Sequence, residues 1–156
     1  MEKLKKSQVK ELIDRLSFFY SCDLEFLKAY NYYLNKGGKL YLSKVDIQNL
    51  EVDRINSVGL YFGTIHDNER FRLSIEGSKF INPKRNFIKL NENSFKSYIT
   101  GENLFKEEVE TISWEDQCPF LIVIYDDENL GSANVKDKTI LCYVPKSRKL
   151  DYNKVF

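Results

Sequence analysis

The segment PFLIVIY, residues 119–125, is the most apolar run of the chain and constrains the fold more than any other. It is far shorter than the roughly 18 apolar residues that a membrane span needs. Its length and its β-branched side chains favour a strand. Because no polar residue alternates with the apolar ones, we expect this strand to be buried on both faces.

The other elements of the second half follow from local patterns. Residues 86–90 predict a strand, and Asn91 is a suitable N-cap for a helix that carries Phe95, Tyr98 and Ile99 and ends at Gly101. After PFLIVIY, residues 126–129 predict a turn, and NLGSANV and TILCYV predict two further strands around Lys136–Lys138. Several short strands with one helix are typical of a small β-barrel.

The first half predicts helices followed by strands. Apolar residues at three- and four-residue spacing predict a helix over residues 7–20 with Ser7 as its cap, and a second helix over residues 23–35 that stops before Gly37. Residues 39–43 predict a strand, and residues 59–65 and 70–75 predict a hairpin. Residues 46–58 predict a polar loop, and Ser74 is a suitable cap for a short helix.

These patterns place a boundary at the sequence NPKR, residues 82–85. Pro83 disfavours a helical conformation at the residue before it. We therefore predict an α+β chain of two units, residues 1–82 and residues 83–156.

The N-terminal segment and the cysteines indicate the cellular compartment. The start, MEKLKKSQ, has no apolar core of a signal peptide, and no run in the chain is long enough to cross a membrane. The three cysteines, Cys22, Cys118 and Cys142, are odd in number and lack Cys-x-x-Cys spacing. We expect a cytoplasmic protein without membrane contact, whose thiols are reduced and pack as small apolar groups.

The net charge of +1 hides strong segregation. Residues 79–90 carry four cations and no acid, and residues 136–154 carry six cations against two acids. Residues 102–116 carry six acids against one lysine. The cationic stretches meet the electrostatic requirement for binding a phosphate backbone, although charged runs are also common on ordinary solvated surfaces.

Two further segments favour nucleic acid over a merely solvated surface. TGENLF (100–105) and NLGSANVKDKTILCYVPKSRKL (129–150) resemble the PUA-like RNA-binding domain of RNA cytosine-5 methyltransferases of the Sun (Fmu) family. The segments FLKAYNYYLNKGGKLYLSK, GLYFGTI and RFRLSIEGSKFI are similar to the unit that precedes PUA in short stand-alone archaeal proteins of ribosome biogenesis. The resemblance implies a pre-PUA α+β unit followed by a PUA-like pseudo-barrel.

The resemblance also implies where RNA would bind, because PUA domains use the glycine-bearing loop after their first helix and their last strand. The matching positions are Thr100, Gly101, Lys106, Tyr143, Pro145, Lys146 and Arg148. From the cationic stretches we add Lys84, Arg85 and Lys149. Two departures from the pattern, Ala133 and Lys138 where glycines are expected, suggest a reshaped hairpin, and the acids of 107–116 argue against a broad phosphate surface near Lys106.

The alternation of a strand gives Tyr143 a physical role. Ile140, Cys142 and Val144 share one face of the last strand, and Tyr143 lies on the other. An outward tyrosine can stack on an unpaired base, whereas an inward one would only fill the barrel and satisfy its hydroxyl. The sequence leaves these two alternatives open.

Catalytic chemistry lacks its usual parts in this sequence. GLYFGTI is a weak glycine pair rather than a cofactor-binding loop, and Cys118 precedes a proline where Sun-type methylases have Pro-Cys. The single histidine, His66, lies in a polar turn, where we expect it to be exposed and idle, and one histidine lacks the partners for histidine-based metal or triad chemistry. Asp126, Asp127 and Glu128 suit a turn better than a metal. We predict no enzyme activity, no cofactor and no metal.

We therefore expect a non-catalytic protein that contacts structured rRNA or tRNA in RNA maturation or ribosome biogenesis, alone or with a ribosome-assembly or RNA-modification protein. DNA is not an expected ligand. The alternative is a protein-interaction adaptor whose aromatic residues 26–33 and acidic loop hold a partner, with incidental RNA contact.

Overall fold

The computed structural model describes residues 1–47, 59–145 and 148–149 of the chain. The described residues form three α-helices and eleven strands in two sheets. Most of the polar loop predicted at residues 46–58 lies outside this range. No helix in the described range is long and apolar enough to cross a membrane.

The first sheet is an antiparallel meander in the order β1-β2-β3-β4-β5. Its strands are β1 (Glu2–Lys3), β2 (Asn31–Leu34), β3 (Lys39–Ser43), β4 (Leu60–Ile65) and β5 (Phe71–Leu73). Helix α1 (Lys6–Tyr20) packs its apolar residues against one face of this sheet. The predictions of this helix, of the strand 39–43 and of the hairpin at 59–75 are confirmed.

The second sheet has the order β7-β11-β10-β9-β6-β8 and curls into a half-barrel. Its strands are β6 (Phe87–Lys89), β7 (Leu104–Phe105), β8 (Thr111–Ser113), β9 (Leu121–Tyr125), β10 (Glu128–Lys136) and β11 (Thr139–Cys142). Strands β6 and β9 are parallel, and the other pairs are antiparallel. The predicted α+β class is thus confirmed.

Two short helices begin at the predicted caps. Helix α2 (Ile75–Ser78) starts after Ser74, whose Oγ accepts a hydrogen bond from the Gly77 N–H at 2.8 Å. Gly77 is required there because an added Cβ would lie 2.0 Å from the Phe62 carbonyl oxygen. Helix α3 (Glu92–Ile99) starts after Asn91, whose side chain accepts from the Ser94 N–H.

Helix α1 begins one residue before the predicted cap. The cap position is Lys5 rather than Ser7, and the Lys5 N–H donates to Gln8 Oε1 at 2.8 Å. A glutamine at the third helical position can satisfy a free N–H at the helix start, so no serine or threonine is needed there.

The second predicted helix, residues 23–35, is wrong. Residues Glu25–Ala29 form a short 3-10 turn, and Asn31–Leu34 form strand β2 between β1 and β3. Tyr32 and Tyr33 are both buried, and adjacent buried residues suit a strand covered on both faces better than an amphipathic helix. Pairing with two neighbours overrode a local spacing that also fitted a helix.

Two apolar cores fill the molecule, and β9 contributes to both. The first core consists of Val9, Leu12, Ile13, Leu16, Tyr20, Leu24, Leu27, Tyr32, Leu40, Leu42, Phe62, Phe71, Leu73, Ile81, Cys118 and Ile122. The second core consists of Ile88, Leu90, Tyr98, Leu104, Leu121, Val123, Ala133, Val135 and Ile140. The expectation of a strand buried on both faces is confirmed, because Leu121, Ile122 and Val123 are each at most 1% exposed.

Both tight turns of the second sheet form without glycine. Asp126 and Asp127 have φ of 51° and 60° between β9 and β10, which is the conformation that Asp tolerates. Between β10 and β11, Asp137 has φ of 55° and Lys138 has no positive φ. Lys138 therefore stands at a position that does not require glycine.

Buried hydrogen bonds link helix α1 and the first sheet to the second sheet. The Tyr20 hydroxyl donates to the Phe120 carbonyl at 2.7 Å, and the Ser132 hydroxyl donates to the Leu73 carbonyl at 3.0 Å. Asn86, fully buried with φ of 61°, donates from Nδ2 to the Phe19 carbonyl and accepts at Oδ1 from the Glu115 N–H, both at 2.6 Å. The boundary predicted at residue 82 stays a prediction.

Replacing Asn86 tests how much these ties contribute. Asn86→Ala removes the acceptor of the Glu115 N–H. It also leaves at positive φ an alanine, which lacks the polar side chain that makes this conformation tolerable for asparagine. We therefore expect the free energy of unfolding to fall by about 2–3 kcal/mol. Urea denaturation followed by circular dichroism measures the change. The control is Asn93→Ala, on the exposed side of α3, which we expect to leave stability nearly unchanged; equal effects of both variants would contradict the role of Asn86.

Candidate nucleic-acid interface

A pocket of about 280 Å³ lies where the first sheet meets the end of β11. We call it the interface pocket. Its charged and aromatic lining residues are Lys39, Tyr61, Arg72, Glu76, Tyr143 and Arg148. Three cations therefore surround one carboxylate and two tyrosine rings, so this pocket has a net positive charge.

The last strand places Tyr143 at the rim of the interface pocket. Ile140 is buried in the second core, and Cys142 and Val144 pack against it, as the alternation of the strand predicts. Tyr143 points the other way and keeps 36% of its surface exposed. Its ring makes an edge contact with Phe120, at 5.9 Å between centroids. Tyr143 is thus held in place by packing without being sealed inside the barrel.

Pro145, Arg148 and Lys149 form a hydrogen-bonded turn after Tyr143. The N–H groups of Arg148 and Lys149 both donate to the Pro145 carbonyl, at 2.8 and 3.1 Å. This turn brings the Arg148 guanidinium to the Glu76 carboxylate, at 2.6 Å between Nη2 and Oε1. Lys146, another predicted contact residue, lies outside the described residues.

The same turn lays Lys149 on the loop after α3. An added Cβ at Gly101 would lie 2.4 Å from Lys149 Cε, so the lysine side chain lies directly on this glycine. Gly101 ends α3 with φ of +86°, and Thr100 caps the helix by donating from Oγ1 to the Ser97 carbonyl at 2.9 Å. The structure therefore brings Gly101 and Thr100 beside the basic segment that follows β11.

Three other predicted contact residues lie elsewhere. Lys106 is at the opposite end of β11 from Tyr143, because its N–H donates to the Lys138 carbonyl at 2.9 Å. Its ammonium lies over the exposed Trp114 ring at 5.3 Å. Lys106 is therefore separated from the interface pocket by the length of β11.

Lys84 and Arg85 precede β6, which is three strands away from β11 in the second sheet. The Arg85 guanidinium forms ion pairs with Glu115 and Asp116 and lies over the Phe18 ring at 4.8 Å. Arg85 Nε also donates to the Phe19 carbonyl. These contacts indicate a structural role for Arg85, whereas Lys84 is exposed.

The first sheet contributes residues that the sequence analysis did not single out. The Arg72 guanidinium lies 4.4 Å from the centroid of the Tyr143 ring, and Lys39 lies 5.5 Å from that of Tyr61. In the segment RFRL, Phe71 and Leu73 are buried, so Arg72 points to the outer face. This alternation of cation and apolar residue was the signal that the sequence offered.

His66 lies close to two cations of this region, Arg70 and Arg72. Its ring is 5.6 Å from that of Phe120, and its Nε2 is buried without a hydrogen-bond partner. Burial, together with the charges of Arg72 and Arg70, lowers the pKa of His66, while Asp67 acts in the opposite direction. The prediction of an exposed histidine is therefore wrong: the turn folds back onto Phe120.

The cysteines are free thiols, and burial raises the pKa of Cys118 to about 11 and that of Cys142 to about 12. Cys118 Sγ donates to the Phe120 carbonyl at 3.1 Å, so it is a packed core group, as predicted. Among the described residues, no three His, Cys, Asp or Glu side chains are grouped closely enough to hold a metal ion.

The sequence matches no protein-family profile and no curated protein. The fold is similar to a solved structure titled "Structure of a Conserved PUA Domain Protein from Thermoplasma acidophilum", with a TM-score of 0.58 and 11% identity. The match covers 94% of this chain and 97% of that chain. The likeness shows the fold alone: the expected PUA-like fold is confirmed, whereas the link to the methyltransferase family and the identity of the first half as a pre-PUA unit stay predictions.

The lowered pKa of His66 predicts a pH dependence of stability. Just below the ordinary histidine pKa of 6.5 the unfolded chain takes up a proton that the folded chain does not, so the free energy of unfolding falls as the pH drops through this value. The fall ends once the pH is below the lowered pKa of the folded protein. Urea denaturation between about pH 7.5 and pH 5.5 measures it.

His66→Gln is the matched variant, because His66 is the single histidine of the chain. The variant should lose the pH-dependent step in this window, whatever its absolute stability. The same pH dependence in the variant and the wild type would contradict the assignment to His66.

Proposed function

We propose that this chain is a non-catalytic RNA-binding protein that contacts structured rRNA or tRNA during RNA maturation or ribosome biogenesis. The observation that carries the proposal is the contact between the Arg72 guanidinium and the Tyr143 ring. This ring is partly exposed, and Arg148 lines the same pocket. The similarity to a PUA domain protein supports it, because PUA domains generally bind RNA.

An aromatic ring beside cations is suited to RNA in two ways. Tyrosine and arginine planes stack on unpaired bases without requiring a particular sequence. Lysine and arginine side chains neutralise phosphates and release counterions, which makes binding sensitive to salt. Lys39, Arg72 and Arg148 line one pocket, and Lys149 lies next to it on Gly101, so one RNA strand could meet all four.

The first test removes charge from this surface. We expect the double variant Arg72→Gln and Arg148→Gln to bind RNA about tenfold or more weakly and to show a shallower dependence of affinity on salt, because two of the cations that face the RNA polyanion are lost. Fluorescence anisotropy with a labelled tRNA transcript between about 50 and 200 mM salt measures both quantities.

The matched control is the double variant Lys6→Gln and Lys10→Gln, which removes the same charge from exposed positions of α1. Helix α1 covers the opposite face of the first sheet, so this variant should keep the wild-type affinity. Equal losses of RNA affinity in both double variants would show that only the net charge of the protein matters. That result would contradict RNA binding at the interface pocket.

A second test concerns the Tyr143 ring. Tyr143→Ala should weaken binding to single-stranded RNA by about 1–3 kcal/mol, the usual contribution of one stacked base. Tyr143→Phe keeps the ring and should bind like the wild type, measured by the same anisotropy assay. If the alanine variant binds as tightly as the wild type, Tyr143 is a barrel residue and does not contact RNA.

A protein-interaction adaptor remains the second candidate. In the predicted aromatic surface, residues 26–33, Tyr32 and Tyr33 are buried, but Phe26 is 51% exposed. Phe105 and Trp114 are two further exposed aromatics, on either side of Glu107, Glu108 and Glu110. Exposed aromatic side chains are typical of protein interfaces. Salt-insensitive RNA affinity, unaffected by the arginine and tyrosine variants, would favour this candidate.

A further inference from the structure

We propose that the interface pocket binds one unpaired guanine base and that Glu76 selects it. This inference rests on the RNA-binding function proposed above and adds to it the base that the pocket recognises. It follows from the position of a single carboxylate among three cations and two tyrosine rings.

The size and walls of the pocket suit one base. Its volume of about 280 Å³ is just below the range of pockets that hold drug-sized ligands, about 300–1,000 Å³. Tyr61 enters from the first sheet, and Tyr143 enters from the end of the second sheet. Aromatic rings in a pocket of this size favour a flat, stacked ligand, and RNA bases that leave the helix are recognised in this way.

Glu76 supplies the feature that separates the bases. The Glu76 side chain is 37% exposed, and its Oε1 lies 2.6 Å from Arg148 Nη2. Each carboxylate oxygen has two lone pairs, so the ion pair with Arg148 leaves room for further hydrogen bonds. A carboxylate accepts hydrogen bonds and donates none. The ligand edge that faces it must therefore present N–H groups.

Among the four RNA bases, guanine presents two adjacent donors, N1–H and N2–H, next to the acceptor O6. One carboxylate can accept from both donors, and a neighbouring guanidinium can donate to O6. Adenine and cytosine place a lone pair beside their amino group, and uracil flanks its single N–H with two carbonyls, so each directs an acceptor at the carboxylate. The Glu76–Arg148 pair thus matches the Watson–Crick edge of guanine.

Two consequences follow from using that edge. The guanine must be unpaired, because pairing occupies the same donors and acceptor. The negative charge of Glu76 does not exclude RNA, since Lys39, Arg72 and Arg148 outnumber it within the same pocket. Lys39 and Arg72 remain for the phosphates that flank the bound base.

The experiment compares four RNA stem–loops that differ in one bulged nucleotide, G, A, C or U. We expect the wild-type protein to bind the G bulge about tenfold more tightly than the other three, the discrimination that a bidentate base contact typically gives. Fluorescence anisotropy at about 50 and 200 mM salt gives the four affinities and their salt dependence. This preference is measured on the wild-type protein, so it does not depend on whether a variant folds.

Glu76→Gln then assigns the preference to the carboxylate. A glutamine keeps the shape of the side chain but directs an N–H at the base, so the advantage of the G bulge should disappear while the other three affinities remain. The matched control is Glu128→Gln, which removes an exposed glutamate that pairs with Lys79 outside the interface pocket. This control should keep the preference for G.

The possible results separate the two proposals. Equal wild-type affinity for all four bulges, or a G preference that survives in Glu76→Gln, overturns the guanine site while leaving RNA binding intact. If none of the four RNAs binds with salt-sensitive affinity, the RNA-binding function itself fails, and the guanine site fails with it.

Discussion

The structure depends on one strand that is buried on both faces. Along β9, Ile122 enters the first core, whereas Leu121 and Val123 enter the second. Successive side chains of a strand point to opposite sides, so one short apolar segment joins two cores. Removing this strand would expose apolar surface in both halves of the molecule. The two sheets therefore share part of their core.

This shared strand determines where the interface pocket forms. Phe120, immediately before β9, accepts the Tyr20 hydroxyl at its carbonyl and supports the ring of Tyr143 on its side chain. Ser132 of β10 donates to the Leu73 carbonyl, next to Arg72. The pocket thus lies beside hydrogen bonds that fix the second sheet to α1 and to the first sheet, and Pro145 and Arg148 enter it from the turn after β11.

The elements that the sequence predicted correctly are those with a local physical cause. Asn91 and Ser74 accept hydrogen bonds from N–H groups three residues ahead, and those contacts exist within a few residues of chain. The wrong helix at residues 23–35 shows the limit of such signals. Its apolar spacing fitted a helix, but β2 gains two strand partners, β1 and β3, and only the tertiary fold supplies these.

Local sequence patterns encode a strand with two apolar faces at residues 119–125, the caps of two helices, and a last strand whose Tyr143 lies opposite Ile140, Cys142 and Val144, because each depends on neighbours along the chain. Which cations contact that tyrosine depends on how the two sheets pack. Arg72 and Tyr143 lie far apart in sequence and come together because the two sheets pack, whereas Lys106, closer in sequence, lies at the other end of β11. Contacts between distant segments follow from how cores fill space, and no local pattern encodes them.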